Sequence, residues 1–116
     1  MSRVLEDQPN EAVVLIVNLL AAQGIEVIFV SGRDESARKD TLDFLALHIP
    51  CVLEPVLFMR AIGDQTEDHI LKKQIYLSRI QPSYKVIFVL DDRDRVVNMW
   101  RHDLGLSVFQ VAEGNF

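Results

Sequence analysis

Residues 25–47 read IEVIFVSGRDESARKDTLDFLAL. The first six, Ile25 to Val30, form a β-branched run of strand length. Ser31-Gly32-Arg33 breaks the run, and Asp34 to Leu47 then carries acids in its first turn and apolar residues later. That pattern predicts an amphipathic helix ending before Pro50. A buried strand, a polar turn and a helix in this order are the unit from which parallel sheets are built.

The rest of the chain repeats the alternation. Before the strand, Asn10 to Gln23 (NEAVVLIVNLLAAQ) reads as a helix, apolar nearly all round, stopped by Gly24 and therefore expected to be buried on more than one side. After Pro50 come a short apolar run, Val56 to Met59, and a helical stretch, Thr66 to Ile80, with Ile70, Ile75 and Leu77 on or near one stripe. Lys85 to Leu90 (KVIFVL) predicts a third strand. The segment from Asp91 or Asp92 to Leu104 predicts a helix stopped by Gly105, and Leu106 to Val111 predicts a last strand. The expectation is an α/β domain with about four parallel strands and flanking helices. Ile25–Val30 and Val86–Leu90 should be interior strands covered on both faces.

Composition narrows the function. With 116 residues, 49% of them hydrophobic, the chain suits one domain spanning 1–116. Twelve Lys+Arg against 17 Asp+Glu give a net charge of −5, which argues against a broadly basic nucleic-acid surface and requires any anion to be caught locally. No apolar run reaches the roughly 18–20 residues that span a bilayer. The single cysteine, Cys51, excludes an internal disulfide, reads as a small core residue and suits a reducing cytoplasm.

In open parallel sheets ligands bind beyond the carboxyl ends of the strands. Three such positions carry chemistry. Ser31-Gly32-Arg33 offers a hydroxyl, a backbone N–H and a guanidinium that suit a phosphate, or else forms a capping turn with a solvated arginine. Asp91-Asp92 offers two adjacent carboxylates that suit Mg²⁺, or else an N-cap with a first-turn acid. After Met59, Arg60 and Gly63-Asp64 lead to Asp68 and Lys72. Their i, i+4 spacing makes either a solvated ion pair or a lysine positioned by its acid. His48, His69 and His102 have no paired ligand spacing, Met99 and Trp100 read as core, and no Gly-x-x-x-x-Gly-Lys kinase loop occurs.

VSGRDE at 30–35, the Arg60…Gly63-Asp64…Asp68…Lys72 spacing, LDDRDRVVNMWR at 90–101 and QVAEGNF at 110–116 together resemble the phosphatase half of bacteriophage-type polynucleotide kinase/3′-phosphatase. That half belongs to the haloacid dehalogenase (HAD) superfamily. The resemblance implies a three-layer, HAD-like (Rossmannoid) fold and a Mg²⁺-dependent phosphatase acting on a 3′-phosphorylated nucleic-acid end or nucleotide. It also implies roles: Ser31 and Lys72 on the phosphoryl group, Asp92 as a metal ligand with Asp91 beside it, and Arg33 and Arg60 on the nucleotide end. Asp68 would orient its neighbours, and Arg93 would brace the site.

One departure stands out. The superfamily nucleophile is the first aspartate of Asp-x-Asp-Gly-Thr on a central opening strand, and no such signature occurs in these 116 residues; Glu6-Asp7 lies in a polar stretch. The expectation is therefore an N-terminally truncated domain, inactive alone. Its alternatives are one half of a split enzyme completed in trans, a non-catalytic phosphate-binding or regulatory module, or a fragment without function. The missing strand would leave apolar edges on the 25–30 and 85–90 runs. Three outcomes are open: a closed-up sheet in which those runs pair, a second chain in the gap, or self-dimerisation.

Overall fold

The computed structural model describes residues 9–116; Glu6-Asp7 lies outside them. The chain divides into two compact units, one ending at Asp64 and one beginning at Gln65, and each is taken by itself.

The first unit holds α1 (Glu11–Ala22), β1 (Ile28–Asp34), α2 (Arg38–His48) and β2 (Val56–Arg60), with a short 3₁₀ turn, Glu35–Ala37, leading into α2. Asn10 starts α1 from an extended conformation, and its Oδ1 accepts from the N–H of Ala12 at 3.1 Å and of Val13 at 3.2 Å. Gly24, at φ +85°, supplies the left-handed residue that ends the helix. Only Val17 of α1 is fully buried, while Leu15 and Leu19 are 59% and 56% exposed, so the expected burial on several sides is corrected to a single stripe. Asn18 pins that stripe, donating to His48 O at 3.0 Å and accepting from Cys51 N at 3.2 Å. Cys51 itself is exposed, correcting its reading as core, because it sits in the turn that follows Pro50.

β1 and β2 run parallel, Ile28 opposite Val56 through Ser31 opposite Met59, and the register then shifts so that Asp34 meets Arg60. The strand thus starts and ends later than the hydrophobic run. β2 begins only at Val56, so residues 25–27 lie outside the β1–β2 ladder, whereas Ser31 to Asp34 continue along it.

The second unit holds α3 (Asp68–Ile75), β3 (Val89–Asp91), α4 (Asp94–Asn98) and β4 (Val108–Gln110). Each helix runs on into a π turn, Tyr76–Ile80 after α3 and Met99–Asp103 after α4. β3 and β4 are parallel over three residues, Val89 opposite Val108 to Asp91 opposite Gln110. That short partner is why the predicted 85–90 strand shrinks to 89–91 and why Ile87 is 67% exposed. The buried face of 68–80 carries Leu71, Lys72, Ile75, Tyr76 and Ile80, whereas Ile70 and Leu77, expected near one stripe with Ile75, are 42% and 44% exposed. Val96, Val97, Met99 and Trp100 complete the core of this unit.

The described residues therefore form an α/β protein with four strands in two separate two-stranded parallel ladders. Among the described residues β1 pairs along one edge, with β2, and β3 along one edge, with β4, and most of their residues are half-buried, not covered on both faces as expected of interior strands.

Candidate phosphate and metal site

In the first unit the end of β1 is built around Ser31 and Arg60. Ser31 is 4% exposed, and its Oγ accepts from the Arg33 N–H at 3.1 Å, which folds the Ser31-Gly32-Arg33 turn back on the strand. Asp34, not Ser31, caps the following turn, accepting from the Ser36 N–H at 2.8 Å and from the Ser36 hydroxyl. These bonds hold its carboxyl below the usual carboxylate range. Arg60 donates from Nε to Gly32 O at 2.8 Å and from NH1 to Asp64 O at 3.1 Å, so it fastens the Ser31–Arg33 turn to the loop after β2. Arg33 carries a buried NH1 that finds no hydrogen-bond partner among the described residues. A guanidinium nitrogen so placed is costly unless it meets an anion. The sequence reading missed Arg38, which forks onto Glu35 at 2.6 and 2.9 Å and onto Leu57 O at 2.9 Å, tying α2 to β2.

In the second unit the central group is Lys72. Its side chain is 2% exposed, with Nζ 3.3 Å from Asp68 Oδ2 and 3.7 Å from Asp91 Oδ2, themselves 12% and 8% exposed. The i, i+4 spacing thus belongs to a positioned, buried lysine, not to a solvated pair. Burial pushes the Lys72 ammonium down, but the carboxylates of Asp91 and Asp68 outweigh it and hold the pKa above the ordinary value. Burial likewise pushes Asp68 up, and the charges of Lys72 and Arg93 bring it below the usual range.

Asp91 closes β3 with both carboxylate oxygens engaged. Oδ1 accepts from the N–H of Asp92 at 2.8 Å and of Arg93 at 3.4 Å; Oδ2 accepts from Trp100 Nε1 at 3.1 Å. Asp92 is different: its Oδ1 is buried and finds no hydrogen-bond partner among the described residues. Arg93 reaches from Asp68 Oδ2 (3.6 Å) to the carboxyl-terminal residue, donating from Nε to Phe116 O at 2.8 Å with the Phe116 ring 5.4 Å from its guanidinium carbon. A small cleft of about 120 Å³, lined by Glu67, Asp68, His69, Arg93, Arg95 and Val96, opens beside Asp68.

Gly114 accounts for part of the QVAEGNF segment. A Cβ there would lie 1.6 Å from the Asp92 carbonyl oxygen, so only glycine lets the chain end pass against Asp92-Arg93, where Gly114 O accepts from the Asp94 N–H at 2.9 Å. Gln110 adds Nε2 donors to Asp92 O at 2.9 Å and to Asp94 Oδ1 at 2.7 Å. Neither Gly114 nor the Trp100 indole was singled out from the sequence; the signals were a glycine near the chain end and a tryptophan nine residues after an aspartate.

Mg²⁺ requires hard oxygen donors. Asp92 Oδ1 fits as one such donor, and Asp91, with its oxygens committed, is placed to support it. Among the described residues no group of three or more His, Cys, Asp or Glu stands together to hold a metal, so the remaining ligands would have to come from elsewhere.

The family model described as the polynucleotide kinase PNKP phosphatase domain matches residues 1–116. The chain is 33% identical over 113 residues to the "Putative bifunctional polynucleotide kinase/RNA ligase" of Autographa californica nuclear polyhedrosis virus, covering 96% of this chain and 16% of that one. Two solved structures of the Pnkp1/Rnl/Hen1 complex, one named as an RNA repair complex, contain chains 40% identical to it, with TM-scores of 0.88 and 0.87. Each match covers 96% of this chain and 35% or 38% of the neighbour, so the 116 residues span little more than a third of those chains. The α/β fold with parallel strands and the match over the whole length agree: the chain belongs to the polynucleotide kinase phosphatase domain family, within the HAD superfamily.

Proposed function

We propose that this chain supplies the phosphate-neutralising and metal-facing part of a Mg²⁺-dependent polynucleotide 3′-phosphatase that acts on 3′-phosphorylated nucleic-acid ends. The observation that carries the reading is Lys72, a cation with 2% exposure kept charged by Asp68 and Asp91, with, one residue after Asp91, an Asp92 oxygen that finds no hydrogen-bond partner among the described residues. A dry, pre-oriented positive charge is what phosphoryl transfer asks of a protein, because catalysis there is mostly positioning and charge neutralisation. In the second unit Lys72 neutralises a phosphoryl group, with Asp68 and Arg93 keeping the lysine in place; in the first, Ser31 offers its hydroxyl to phosphate, and Arg33 and Arg60 bind or organise the nucleotide end. Asp92, supported by Asp91, would hold Mg²⁺, which when bound draws negative charge off the transferring group.

The nucleophile is an aspartate that these 116 residues do not contain. On this reading 1–116 is a single phosphatase domain, a proposal supported by a family match that runs through both units, and the chain alone does not turn over. A polypeptide carrying Asp-x-Asp-Gly-Thr completes it. Among the described residues β1 pairs with β2 and β3 with β4, so within its own unit each ladder offers an edge to such a strand or to a second copy. A second reading is a non-catalytic module that binds 3′-phosphorylated ends. Cys51, the single cysteine and a free one, accords with a cytoplasmic setting.

Fluorescence anisotropy with two oligonucleotides that differ only in a 3′-phosphate or a 3′-hydroxyl tests the shared core of both readings. Preferential binding of the phosphorylated end with Mg²⁺ present, lost in Lys72→Met, is expected. Equal affinity for the two ends would overturn it.

A further inference from the structure

Trp100 does more than fill the core. It is 4% exposed, and its indole N–H, the only polar group it has, is directed to Asp91 Oδ2 at 3.1 Å within that buried setting. The other Asp91 oxygen takes the backbone N–H groups of Asp92 and Arg93, so the indole occupies the remaining side of a carboxylate that also faces Lys72 Nζ at 3.7 Å. Hydrogen bonds to a buried carboxylate are among the stronger ones, and chains of them reinforce one another in a low dielectric. The ring is itself braced: Tyr76 meets it edge to face, with centroids 6.1 Å apart at 77°. Each of the two aromatic residues lies in a π turn, Tyr76 in 76–80 and Trp100 in 99–103, a rare geometry that recurs at functional sites. Both wide turns thus serve to set one indole against one carboxylate.

We propose that Trp100 is a positioning residue. By fixing the Asp91 carboxylate it makes Asp91 the standing counter-ion of Lys72 and fixes the β3–α4 turn, so that the neighbouring Asp92 carboxylate is the one left for the metal. This rests on the phosphatase reading for its catalytic consequence and on the geometry alone for its structural one.

Trp100 is the only tryptophan in the chain, so global replacement alters one position. Replacing tryptophan by 3-benzothienylalanine keeps the shape and removes the N–H; 5-fluorotryptophan, which retains the N–H, is the control. Amide exchange is read at Asp92, whose N–H is held by Asp91 Oδ1, and at Val96 and Val97 in the core. Without the indole N–H, exchange at Asp92 is expected to rise about tenfold, the scale of one hydrogen bond to a charged group, with Val96 and Val97 unmoved. In the enzyme completed by an Asp-x-Asp-Gly-Thr polypeptide, kcat falls by a similar factor and KM holds. Equal effects at Asp92 and at the core amides, or none, would mean that Trp100 only packs, and the proposal is overturned. If the isostere does not fold, the chemical shift of the native indole N–H proton decides: the downfield position of an N–H bonded to a carboxylate supports the proposal, and the position of an unbonded indole overturns it. Absence of phosphate release by the unsubstituted, completed enzyme counts against the phosphatase reading, and the exchange measurement still decides the role of Trp100.

Discussion

Replacing Lys72 by Met removes the charge from between Asp68 and Asp91 while nearly keeping the volume. At an effective dielectric of about 20, charges 3.3 and 3.7 Å apart attract by roughly 4–5 kcal/mol per pair, most of it offset by the desolvation of all three groups. Removing one member leaves that desolvation uncompensated, and breaking a buried ion pair from one side costs about 3–5 kcal/mol. For a domain of 116 residues this corresponds to a drop in Tm of roughly 10–20 °C at pH 7. The loss depends on pH with a definite sign. In the native protein the lowered Asp68 pKa gives stability that is present above the ordinary carboxylate value and lost as pH falls through the folded value. Lys72→Met removes the main cause of that lowering, so its deficit is largest at neutral pH and narrows toward pH 4 as the carboxylates protonate. Adding Asp91→Asn, which removes one stranded charge, should restore part of the loss. Urea unfolding of the single and double variants at pH 7 and pH 4 measures this. A deficit below about 1 kcal/mol, or one that is the same at both pH values, would refute the claim that Lys72 is a buried, charge-paired group.

Asp92→Asn should leave stability within about 1 kcal/mol, because the lost oxygen has no partner among the described residues, yet weaken Mg²⁺ binding at least about tenfold in calorimetric titration with inorganic phosphate present. Gly114→Ala forces a methyl against the Asp92 carbonyl and should cost about 3 kcal/mol or displace residues 112–116; the loss of the Arg93 contact with Phe116 would be visible as a shift of the Arg93 Nε resonance. Cys51, being exposed, should react with one equivalent of Ellman's reagent in the native protein within minutes, whereas a lag matching global unfolding would place it back in the core.

Much of the fold was legible because local chemistry set it. Asn10 and Gly24 bound α1, and Pro50 and Pro82 follow the ends of the helical stretches at 38–48 and 68–80. What depended on partners was not legible. The hydrophobic runs 25–30 and 85–90 name residues able to form strands, but only the register of β2 and β4 decides that pairing covers 28–34 and 89–91. The candidate site divides the same way. The Asp68–Lys72 spacing was visible, but a spacing of four is compatible with solvent on both groups, and only the approach of Asp91 from β3 makes the lysine a buried one. Trp100 read as core because its apolar surface dominates the pattern, and the direction of one N–H leaves no mark in a hydrophobic period.

Release of inorganic phosphate from a 3′-phosphorylated oligonucleotide, with Mg²⁺ and with or without a polypeptide carrying Asp-x-Asp-Gly-Thr, tests the central claim most directly. The expected result is no release by the chain alone, release when the two are mixed, and loss of that release in Lys72→Met and Asp92→Asn. Release by the chain alone would contradict the account of the nucleophile. No release from the mixture, in a preparation where the added polypeptide is shown to bind, would contradict the phosphatase reading itself.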